Sequence, residues 1–338
     1  MIDRAVTFLV PEGIDDPARV SGGNLYDRRI RDGLGGQGWR VSTVEAPDAA
    51  GATSTLRGLP GGATVLVDGL VGLWAAEGIA AAAGRLRIVV LAHMVAAAFP
   101  GATDATMAAE RRMFAAADRV VVTSSWTAKE LSRRGLVTSE RIAVAVPGVD
   151  VAEAPGEGPK NRLDLLCVGV VAPHKGQDVL LDALARIPEQ GWTCRIVGSS
   201  RPFGDFASSV ARDAQRFSGR VRMTGVLHGP ELAAEYRRGA LLVAPSRVES
   251  SGMAIAEARG HGVPVVAAAV GGIPDTVAGG GAVLVPPGDP EALAVALGAW
   301  MTDPALRTRL RTEVRAARVG LPTWAGSVSA VARALEAS

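Results

Sequence analysis

The sequence predicts an α/β protein of two domains, each built on a doubly wound parallel β-sheet. Short apolar runs alternate with amphipathic helical stretches along the 338 residues, a pattern typical of strands joined by crossover helices. Aromatic residues make up only 4% of the chain, so small aliphatic residues must fill the core, which favours buried parallel strands. A segment rich in proline, glycine and charge, 149–161, separates two similar halves.

Each half is predicted to contain six strands with helices between them. The predicted strands span 5–11, 39–46, 63–70, 87–94, 119–124 and 141–148 in the first half, and 163–170, 192–198, 221–225, 240–246, 263–270 and 282–288 in the second. These elements predict an N-terminal domain over 1–150, a linker over 151–161 and a C-terminal domain over 162–322. The stretch 323–338 is predicted to form a helix that packs on either domain. Because such sheets bind ligands beyond the carboxyl ends of their strands, we expect the site in a cleft between the domains.

Composition narrows the classes of function. The net charge of +2 and the short arginine pairs do not favour nucleic-acid binding, and they allow at most peripheral contact with a membrane. Cys167 and Cys194 both fall within predicted strands, so we expect free buried thiols rather than a disulfide or metal site. The N-terminus passes directly into a strand, and no apolar run is long enough to span a bilayer, which favours a cytoplasmic protein.

The stretch "GLGGQG" at 33–38 matches the spacing of a dinucleotide-binding glycine motif. That motif must follow a strand and open a helix, so that the helix N-terminus meets the pyrophosphate. Here a predicted helix precedes the glycines and a strand follows them. Gly33, Gly35 and Gly38 are therefore predicted to end a helix and turn the chain, and we do not expect a nicotinamide or flavin cofactor.

Two glutamates flank the start of a predicted helix in "PSRVESSGMAIAEARGHG". Glu249 lies on the loop after a strand, and Glu257 lies inside the following helix. Between them the helix N-terminus offers backbone N–H groups and partial positive charge to an anion, and Gly252 permits close approach of a ligand. Carboxylates accept strong hydrogen bonds from hydroxyls. This order of acceptor, anion site and acceptor is complementary to a nucleoside-diphosphate sugar.

The segment "PSRVESSGMAIAEARGHGVPVVAAAVGGIPDTV" closely resembles the E-x7-E region of retaining glycosyltransferases of family 4, which have the GT-B fold. The segments "SGGNLYDRRIRDGLGGQGWRVSTV", "ADRVVVTSSWTAKEL", "LLCVGVVAPHKGQDVLLDAL" and "VRMTGVLHGPELAAEYRRGALLVAPS" resemble other parts of the same family, in the same order. The resemblance implies two Rossmann-like domains that face each other across a cleft. It also implies transfer of a hexose from a nucleoside-diphosphate sugar to an acceptor hydroxyl, with retention of the anomeric configuration.

The resemblance further implies roles for individual residues. Glu249 would bind the hydroxyls of the donor sugar, Glu257 those of the ribose, and Lys175 the diphosphate, so Lys175, Glu249 and His93 form the expected catalytic set. Lys175 also follows a predicted strand near the start of a helix, where an ammonium stabilises a departing diphosphate. His93 would orient the donor sugar or the acceptor, and Gly22 and Gly23 are placed on the first strand–helix loop. The full expected donor site is Gly22, Gly23, Lys175, Arg201, Gly225, Val226, Glu249, Ser250, Ser251, Gly252, Met253 and Glu257.

The chain departs from the family pattern at Val170. Many members have an arginine at the position after Gly169, which supplies a second cation to the diphosphate. His174, Arg195 or Arg201 could replace that cation here. The aromatic residue and glycine that usually follow the first glutamate are also replaced, by "SSG", in the loop that contacts the sugar.

The expected partners are a nucleotide-sugar donor and a hydroxyl acceptor, which could be a glycan, a lipid-linked sugar or a small natural product. No further cofactor is expected, and the spacing of His174, His228 and His261 indicates no metal site. Two alternatives stay open: a nucleotide-sugar epimerase of the same architecture, and a catalytically weakened nucleotide-binding homologue.

Overall fold

The computed structural model of the chain describes residues 4–17, 19, 21–99, 101–152, 163–188 and 191–337. The chain divides into two compact units, one made of Met1–Gly148 with Pro322–Ser338 and the other of Val149–Leu321. Most of the predicted linker, 153–161, lies outside the described residues.

The first unit contains a six-stranded sheet in which all neighbouring strands are parallel, in the order β2-β1-β3-β4-β5-β6. Its strands are β1 (Ala5–Pro11), β2 (Arg40–Ala46), β3 (Thr64–Asp68), β4 (Arg87–Ala92), β5 (Arg119–Val122) and β6 (Ile142–Val144). The direction of the strand order reverses between β1 and β3. The central strands are almost completely buried, as expected where helices cover both faces of a parallel sheet.

In the described part of this unit, the α-helices between the strands are α1 (Gly22–Gly36), α2 (Ala49–Gly58), α3 (Gly69–Trp74), α4 (Ala76–Ala82), α5 (Asp104–Ala116) and α6 (Ser125–Arg133). The placement of Gly22 and Gly23 on a loop was wrong, because they form the first turn of α1. The reason is Ser21, whose hydroxyl oxygen accepts a hydrogen bond from the backbone N–H of Asn24 at 3.0 Å and caps the helix there.

The second unit repeats the plan with a parallel sheet in the order β12-β11-β10-β7-β8-β9. Its strands are β7 (Asp164–Val168), β8 (Thr193–Val197), β9 (Val221–Gly225), β10 (Leu241–Ala244), β11 (Val265–Ala268) and β12 (Ala282–Val285). Here the strand order reverses between β7 and β10. Both sheets confirm the predicted fold class. Every predicted strand is present; β1 and β9 have the predicted bounds, and the other strands are shorter than predicted.

The helices of the second unit cover both faces of its sheet. They are α7 (Gln177–Leu184), α8 (Gly204–Gln215), α9 (Gly229–Arg238), α10 (Met253–Gly260), α11 (Ile273–Thr276), α12 (Pro290–Thr302) and α13 (Pro304–Ala317). Trp192 and Trp300 are fully buried in one of the two cores that result. Cys167 and Cys194 lie in the same core as free, buried thiols, which confirms the expectation from the sequence.

The last helix, α14 (Trp324–Glu336), returns to the first unit and packs against α1. Gly33 of α1 makes this packing close, because a Cβ at that position would lie 2.3 Å from a methyl carbon of Val328. The glycines at 33–38 do end a helix, as predicted, although α1 includes Gly33 and Gly35 before the chain turns at Gly38, where φ is +81°. Among the described residues, no helix combines the length and the apolar character that crossing a bilayer requires.

Candidate functional site

The strand-order reversal of the second sheet brings two of the sequence-predicted site residues together. Lys175 ends a short 3-10 helix, Pro173–Lys175, that follows β7, and Glu249 lies on the loop that follows β10. Doubly wound sheets bind ligands at the carboxyl ends of the two strands that flank such a reversal. Although 74 positions separate the two residues in the sequence, the fold therefore places them at the expected ligand site of this unit.

Lys175 and Glu249 form an ion pair in which Nζ donates to Oε2 at 2.5 Å. The other carboxylate oxygen, Oε1, accepts a hydrogen bond from the backbone N–H of Gly252 at 3.2 Å. Burial raises the pKa of Glu249, but Lys175 and the Gly252 N–H more than offset burial, so this pKa lies below its ordinary value. Because the side chains are 24% and 14% exposed, the lone pairs that remain on the carboxylate can accept hydrogen bonds from ligand hydroxyls.

Backbone contacts hold the two loops together. The backbone N–H groups of Arg247 and Val248 both donate to the carbonyl oxygen of His174, at 2.8 and 3.2 Å. Gly176 has a left-handed φ of +70°, and a Cβ on it would lie 2.2 Å from the carbonyl oxygen of Pro245. Only glycine permits this approach of the two backbones. The positions of Lys175 and Glu249 are therefore set mainly by main-chain geometry.

The loop from Glu249 to α10 contains the predicted residues Ser250, Ser251, Gly252 and Met253. The start of α11 braces this loop, because the Gly272 N–H donates to the carbonyl oxygen of Glu249 at 3.0 Å. The hydroxyl of Thr276 also donates to the carbonyl oxygen of Ser251, at 2.6 Å. Gly252 precedes α10 with φ +69° and supplies no side chain to cap it, so N–H groups of the first turn remain available for an anion.

Glu257 lies one turn into α10 and is held by a neighbouring helix. The hydroxyl of Tyr236, on α9, donates to Oε2 of Glu257 at 2.8 Å. Tyr236 is itself buried, and its ring stacks on that of His261 with centroids 5.2 Å apart. Glu257 is therefore half-buried and oriented rather than free in solvent. Tyr236 was not predicted from the sequence, because nothing in the sequence shows that α9 lies against α10.

The structure distinguishes among the three residues that could replace the cation missing at position 170. Arg195 lies on β8 and pairs with Glu235 at 2.5 Å, so its charge is already compensated. Burial and the nearby Lys175 lower the pKa of His174, which favours its neutral form. Arg201 follows the carboxyl end of β8, is exposed, and forms no ion pair with any residue that the structure describes. Arg201 therefore best retains its charge for a ligand.

The remaining predicted donor residues lie elsewhere. Gly225 ends β9 and Val226 follows it, at the edge of the second sheet and two strands from β7. Gly22, Gly23 and His93 belong to the first unit.

The first unit has its own cluster of polar residues at the carboxyl ends of its strands. His93 follows β4 and its Nε2 lies 2.8 Å from Oδ1 of Asp27, on α1, and 3.1 Å from Oδ2 of Asp68, which ends β3. Tyr26 packs edge-on against the imidazole, with ring centroids 5.4 Å apart. The Cβ position of Gly23 lies 3.5 Å from the ring, in ordinary contact distance. The start of α1 therefore borders His93.

Burial dominates the electrostatics of this cluster. The side chains of Asp27 and Asp68 are 1% and 5% exposed. Burial raises the pKa of the Asp27 carboxyl above its ordinary value. Burial alone lowers the pKa of His93, but the two adjacent carboxylates more than offset burial and raise it.

His93 was predicted from the sequence, but Asp27 and Asp68 were not. Asp68 lies in the predicted strand 63–70 and ends β3. Its Oδ1 also accepts hydrogen bonds from the backbone N–H groups of Leu70 and Val71 and caps the start of α3. A carboxylate at the end of an apolar run was a usable signal for Asp68. Asp27 is four positions after Gly23 and therefore lies on the same face of α1. This spacing was a usable signal for Asp27.

The three side chains of this cluster lie close enough together to be compared with a metal site. A metal would need the lone pair of His93 Nε2. That nitrogen lies within hydrogen-bonding distance of two carboxylates, and a proton shared between these groups satisfies the geometry. The expectation of metal independence stays a prediction.

Two family models match the chain. Residues 63–153 match the model described as Glycosyltransferase Family 4. Residues 162–303 match the model described as Glycosyl transferases group 1. The second match contains Lys175, Glu249 and Glu257, and the first contains Asp68 and His93.

Known proteins resemble this chain in sequence or in structure. A D-inositol 3-phosphate glycosyltransferase 1 from Catenulispora acidiphila is 35% identical over 231 residues, which are 62% of this chain and 55% of the relative. The match thus spans about half the length of such curated relatives. A sucrose-phosphate synthase from Thermosynechococcus elongatus has a TM-score of 0.82 at 21% identity, with 98% of each chain covered. Anabaena Alr3699/HepE in complex with UDP and glucose has a TM-score of 0.78 at 19% identity, covering 98% of this chain and 99% of that one.

Proposed function

Because this chain belongs to the glycosyltransferases of family 4 and has the GT-B fold, we propose that it transfers a hexose from a nucleoside-diphosphate sugar to an acceptor hydroxyl. The observation that carries the proposal is the Lys175–Glu249 pair at the strand-order reversal of the second sheet. It combines a cation for a diphosphate with a carboxylate for sugar hydroxyls. The structures of Alr3699/HepE in complex with UDP-glucose and with UDP and glucose support a nucleotide sugar as the donor.

The donor lies along the carboxyl edge of the second sheet in this proposal. Its sugar hydroxyls donate to Glu249, its diphosphate meets Lys175 and the N–H groups at the start of α10, and its ribose hydroxyls reach Glu257. Arg201 supplies the second cation that Val170 does not. Charged groups hydrogen-bonded to hydroxyls and phosphates contribute about 1.5–3 kcal/mol each, so the set accounts for both affinity and orientation.

The reaction we propose retains the anomeric configuration. The acceptor oxygen attacks the anomeric carbon on the face from which the diphosphate leaves. The bond between that carbon and the phosphate oxygen breaks, and the acceptor proton passes to the departing phosphate. Lys175 stabilises the negative charge that grows on the leaving group, and fixed N–H groups add to this without reorganising. No step requires a metal ion or another cofactor.

Turnover experiments test the proposal directly. The protein is incubated with UDP-, GDP- and ADP-sugars and a panel of acceptors: glycans, lipid-linked sugars and small aglycones. Release of the nucleoside diphosphate should require both a donor and an acceptor and should continue in EDTA. Proton NMR of the product should show the anomeric configuration of the donor. An inverted product would contradict retention, and loss of activity in EDTA would contradict metal independence.

The two alternatives predict different products. An epimerase would convert the nucleotide sugar without an acceptor, and the family matches do not favour it. A weakened homologue would bind a nucleoside diphosphate, seen as a rise in melting temperature, but would not turn over. The exposed Arg201 favours a complete diphosphate site over a weakened one. An Arg201→Ala variant that bound the donor as tightly as the wild-type protein would contradict that assignment.

A further inference from the structure

His93 stands out because one of its nitrogens is shared by two buried carboxylates. Nε2 lies 2.8 Å from Asp27 Oδ1 and 3.1 Å from Asp68 Oδ2. The second oxygen of Asp27 is also buried and has no hydrogen-bond partner among the described residues. A carboxylate with an unsatisfied buried oxygen is costly to keep, so its presence beside His93 calls for a physical reason.

The number of protons at this cluster determines whether Nδ1 of His93 donates or accepts a hydrogen bond. A hydrogen bond between Nε2 and a carboxylate needs one proton, whether it lies on the nitrogen or on Asp27. Without a second proton on the ring, Nδ1 carries only a lone pair and can only accept. With a second proton, Nδ1 becomes a donor, and the ring balances one of the two buried negative charges.

We propose that Asp27 is a positioning residue that, together with Asp68, keeps His93 doubly protonated, so that Nδ1–H is a permanent hydrogen-bond donor to a hydroxyl of the substrate. The proposal rests on the proposed transferase function and assigns a role within it to a residue of the first unit. Asp27 does not contact the substrate in this role, since its side chain is 1% exposed. It acts through His93, which is 16% exposed.

The groups around His93 are consistent with this role. Asp27 and Tyr26 approach from α1, and Asp68 approaches from the end of β3. Thr123, after β5, donates its hydroxyl to the backbone carbonyl of His93 at 3.4 Å and adds no charge. Every charged group in these contacts is therefore an acid, and each one favours the protonated ring.

The net charge of the cluster indicates the kind of ligand. Two carboxylates and one imidazolium sum to a single negative charge, which disfavours a phosphate or carboxylate as the partner of Nδ1. A neutral oxygen, such as a sugar or acceptor hydroxyl, is not repelled and gains a charge-assisted hydrogen bond. The proposed ligand of His93 is therefore a hydroxyl oxygen and not an anion.

Nitrogen NMR of the histidines tests the charge state without any need for activity. The chain has four histidines, so protein labelled with 15N-histidine gives few signals, and His93→Asn identifies the signal of His93. We expect the wild-type His93 ring to remain doubly protonated up to pH 8. In Asp27→Asn the midpoint should fall by about one pH unit or more, because one of two adjacent negative charges is removed.

Asp32→Asn is the matched control, since Asp32 lies on the same helix and is exposed. It should leave the His93 signal unchanged. A wild-type midpoint at or below about 6.5, the ordinary histidine value, overturns the proposal. So does a midpoint that Asp27→Asn fails to move. If Asp27→Asn does not fold, the wild-type titration decides by itself.

The pH profile of transfer gives a second test. In Asp27→Asn, kcat/KM should match the wild-type value at acidic pH, where the ring is protonated in both proteins. It should fall as the pH rises through the lowered midpoint, while the wild-type profile stays flat there. A loss that acid does not reverse would indicate a structural role only and would overturn the proposal. Absence of transfer in the wild-type protein would contradict the proposed function but leave the NMR result intact.

Discussion

The two clusters at the carboxyl ends of the two sheets hold their charges in different ways. In the first unit, Asp27 lies on α1, Asp68 ends β3 and His93 follows β4, and the two carboxylates are at most 5% exposed. In the second unit, Lys175 ends a 3-10 helix and Glu249 lies on the loop after β10, and their side chains are 24% and 14% exposed. The first cluster is suited to keeping one charge state, and the second is suited to exchanging partners with a ligand.

The difference also appears in the forces that set each pKa. Burial raises the pKa of Asp27 despite the adjacent His93. For Glu249 the balance is reversed, since Lys175 and a backbone N–H outweigh burial and lower the pKa. A ligand that brings its own hydroxyls and phosphates can therefore replace part of the Lys175–Glu249 interaction without leaving a buried charge uncompensated.

The largest effect on transfer is expected from changes to Lys175 and Glu249. Lys175→Ala and Glu249→Ala should each reduce transfer by at least about 10²–10³-fold, because each removes a charged contact to the reacting groups. The fold should persist, since main-chain contacts hold the two loops. Steady-state kinetics and circular dichroism measure both effects. Asp182→Asn, which weakens the exposed Arg216–Asp182 pair of the same unit, is the control and should retain activity. Near wild-type transfer in both variants would contradict the site.

The pH dependence of stability distinguishes the Asp27–Asp68–His93 cluster from the Lys175–Glu249 pair. The raised pKa of His93 contributes stability that is complete below its unfolded value of about 6.5 and is lost as the pH rises toward its folded value. Over that window the free energy of unfolding should fall by about 1.4 kcal/mol per pH unit for this one proton. In Asp27→Asn this loss of stability should end at a lower pH, because the lowered folded pKa is reached sooner. Urea unfolding at several pH values locates the pH at which the slope ends, and the same end point in the two proteins would contradict the proposed proton.

The contribution of Glu249 to stability changes with pH in the opposite direction. Its lowered pKa contributes stability that is present above its unfolded value and is lost as the pH falls through its folded value. The two clusters should therefore reduce the stability of the protein at opposite ends of the pH range.

The sequence predicted both residues of the Lys175–Glu249 pair but only His93 of the first-unit cluster. Lys175 and Glu249 each follow an apolar run that ends clearly, and their surroundings match a recognisable motif. The role of Asp27 depends on the adjacency of α1 to the ends of β3 and β4, which only the strand order of the folded sheet shows. Local spacing reaches one or two turns along a helix, whereas Asp27 and His93 are 66 positions apart.

Helix starts were the other source of error. Ser21 was not recognised as a cap, so Gly22 and Gly23 were placed on a loop. The predicted strand 63–70 was continued past Asp68, which ends β3 and caps α3. In both cases a short polar side chain satisfies backbone N–H groups, a local effect that apolar periodicity does not detect.

A smaller effect is expected at the nucleotide end of the second site. Glu257→Gln should raise the Kd for the nucleoside diphosphate by about tenfold, because a hydrogen bond to a charged group is lost. Tyr236→Phe should raise it by about two- to fivefold, since Glu257 stays but loses the hydroxyl that orients it. Calorimetric titration measures both. A Tyr236→Phe effect as large as that of Glu257→Gln would indicate that the tyrosine itself contacts the ligand.

The smallest effect is expected where an ion pair only repeats what the backbone already fixes. Arg247 and Asp178 form a two-fold hydrogen-bonded pair at 2.8 and 2.7 Å, but both side chains are more than a third exposed, and such pairs contribute at most about 1 kcal/mol. Asp178→Asn should therefore change the KM for the donor by less than about fivefold and leave kcat unchanged. The reason is that the backbone N–H groups of Arg247 and Val248 still hold the carbonyl of His174. A loss comparable to that of Lys175→Ala would show that the side-chain pair, and not the main chain, positions the loops of the second site.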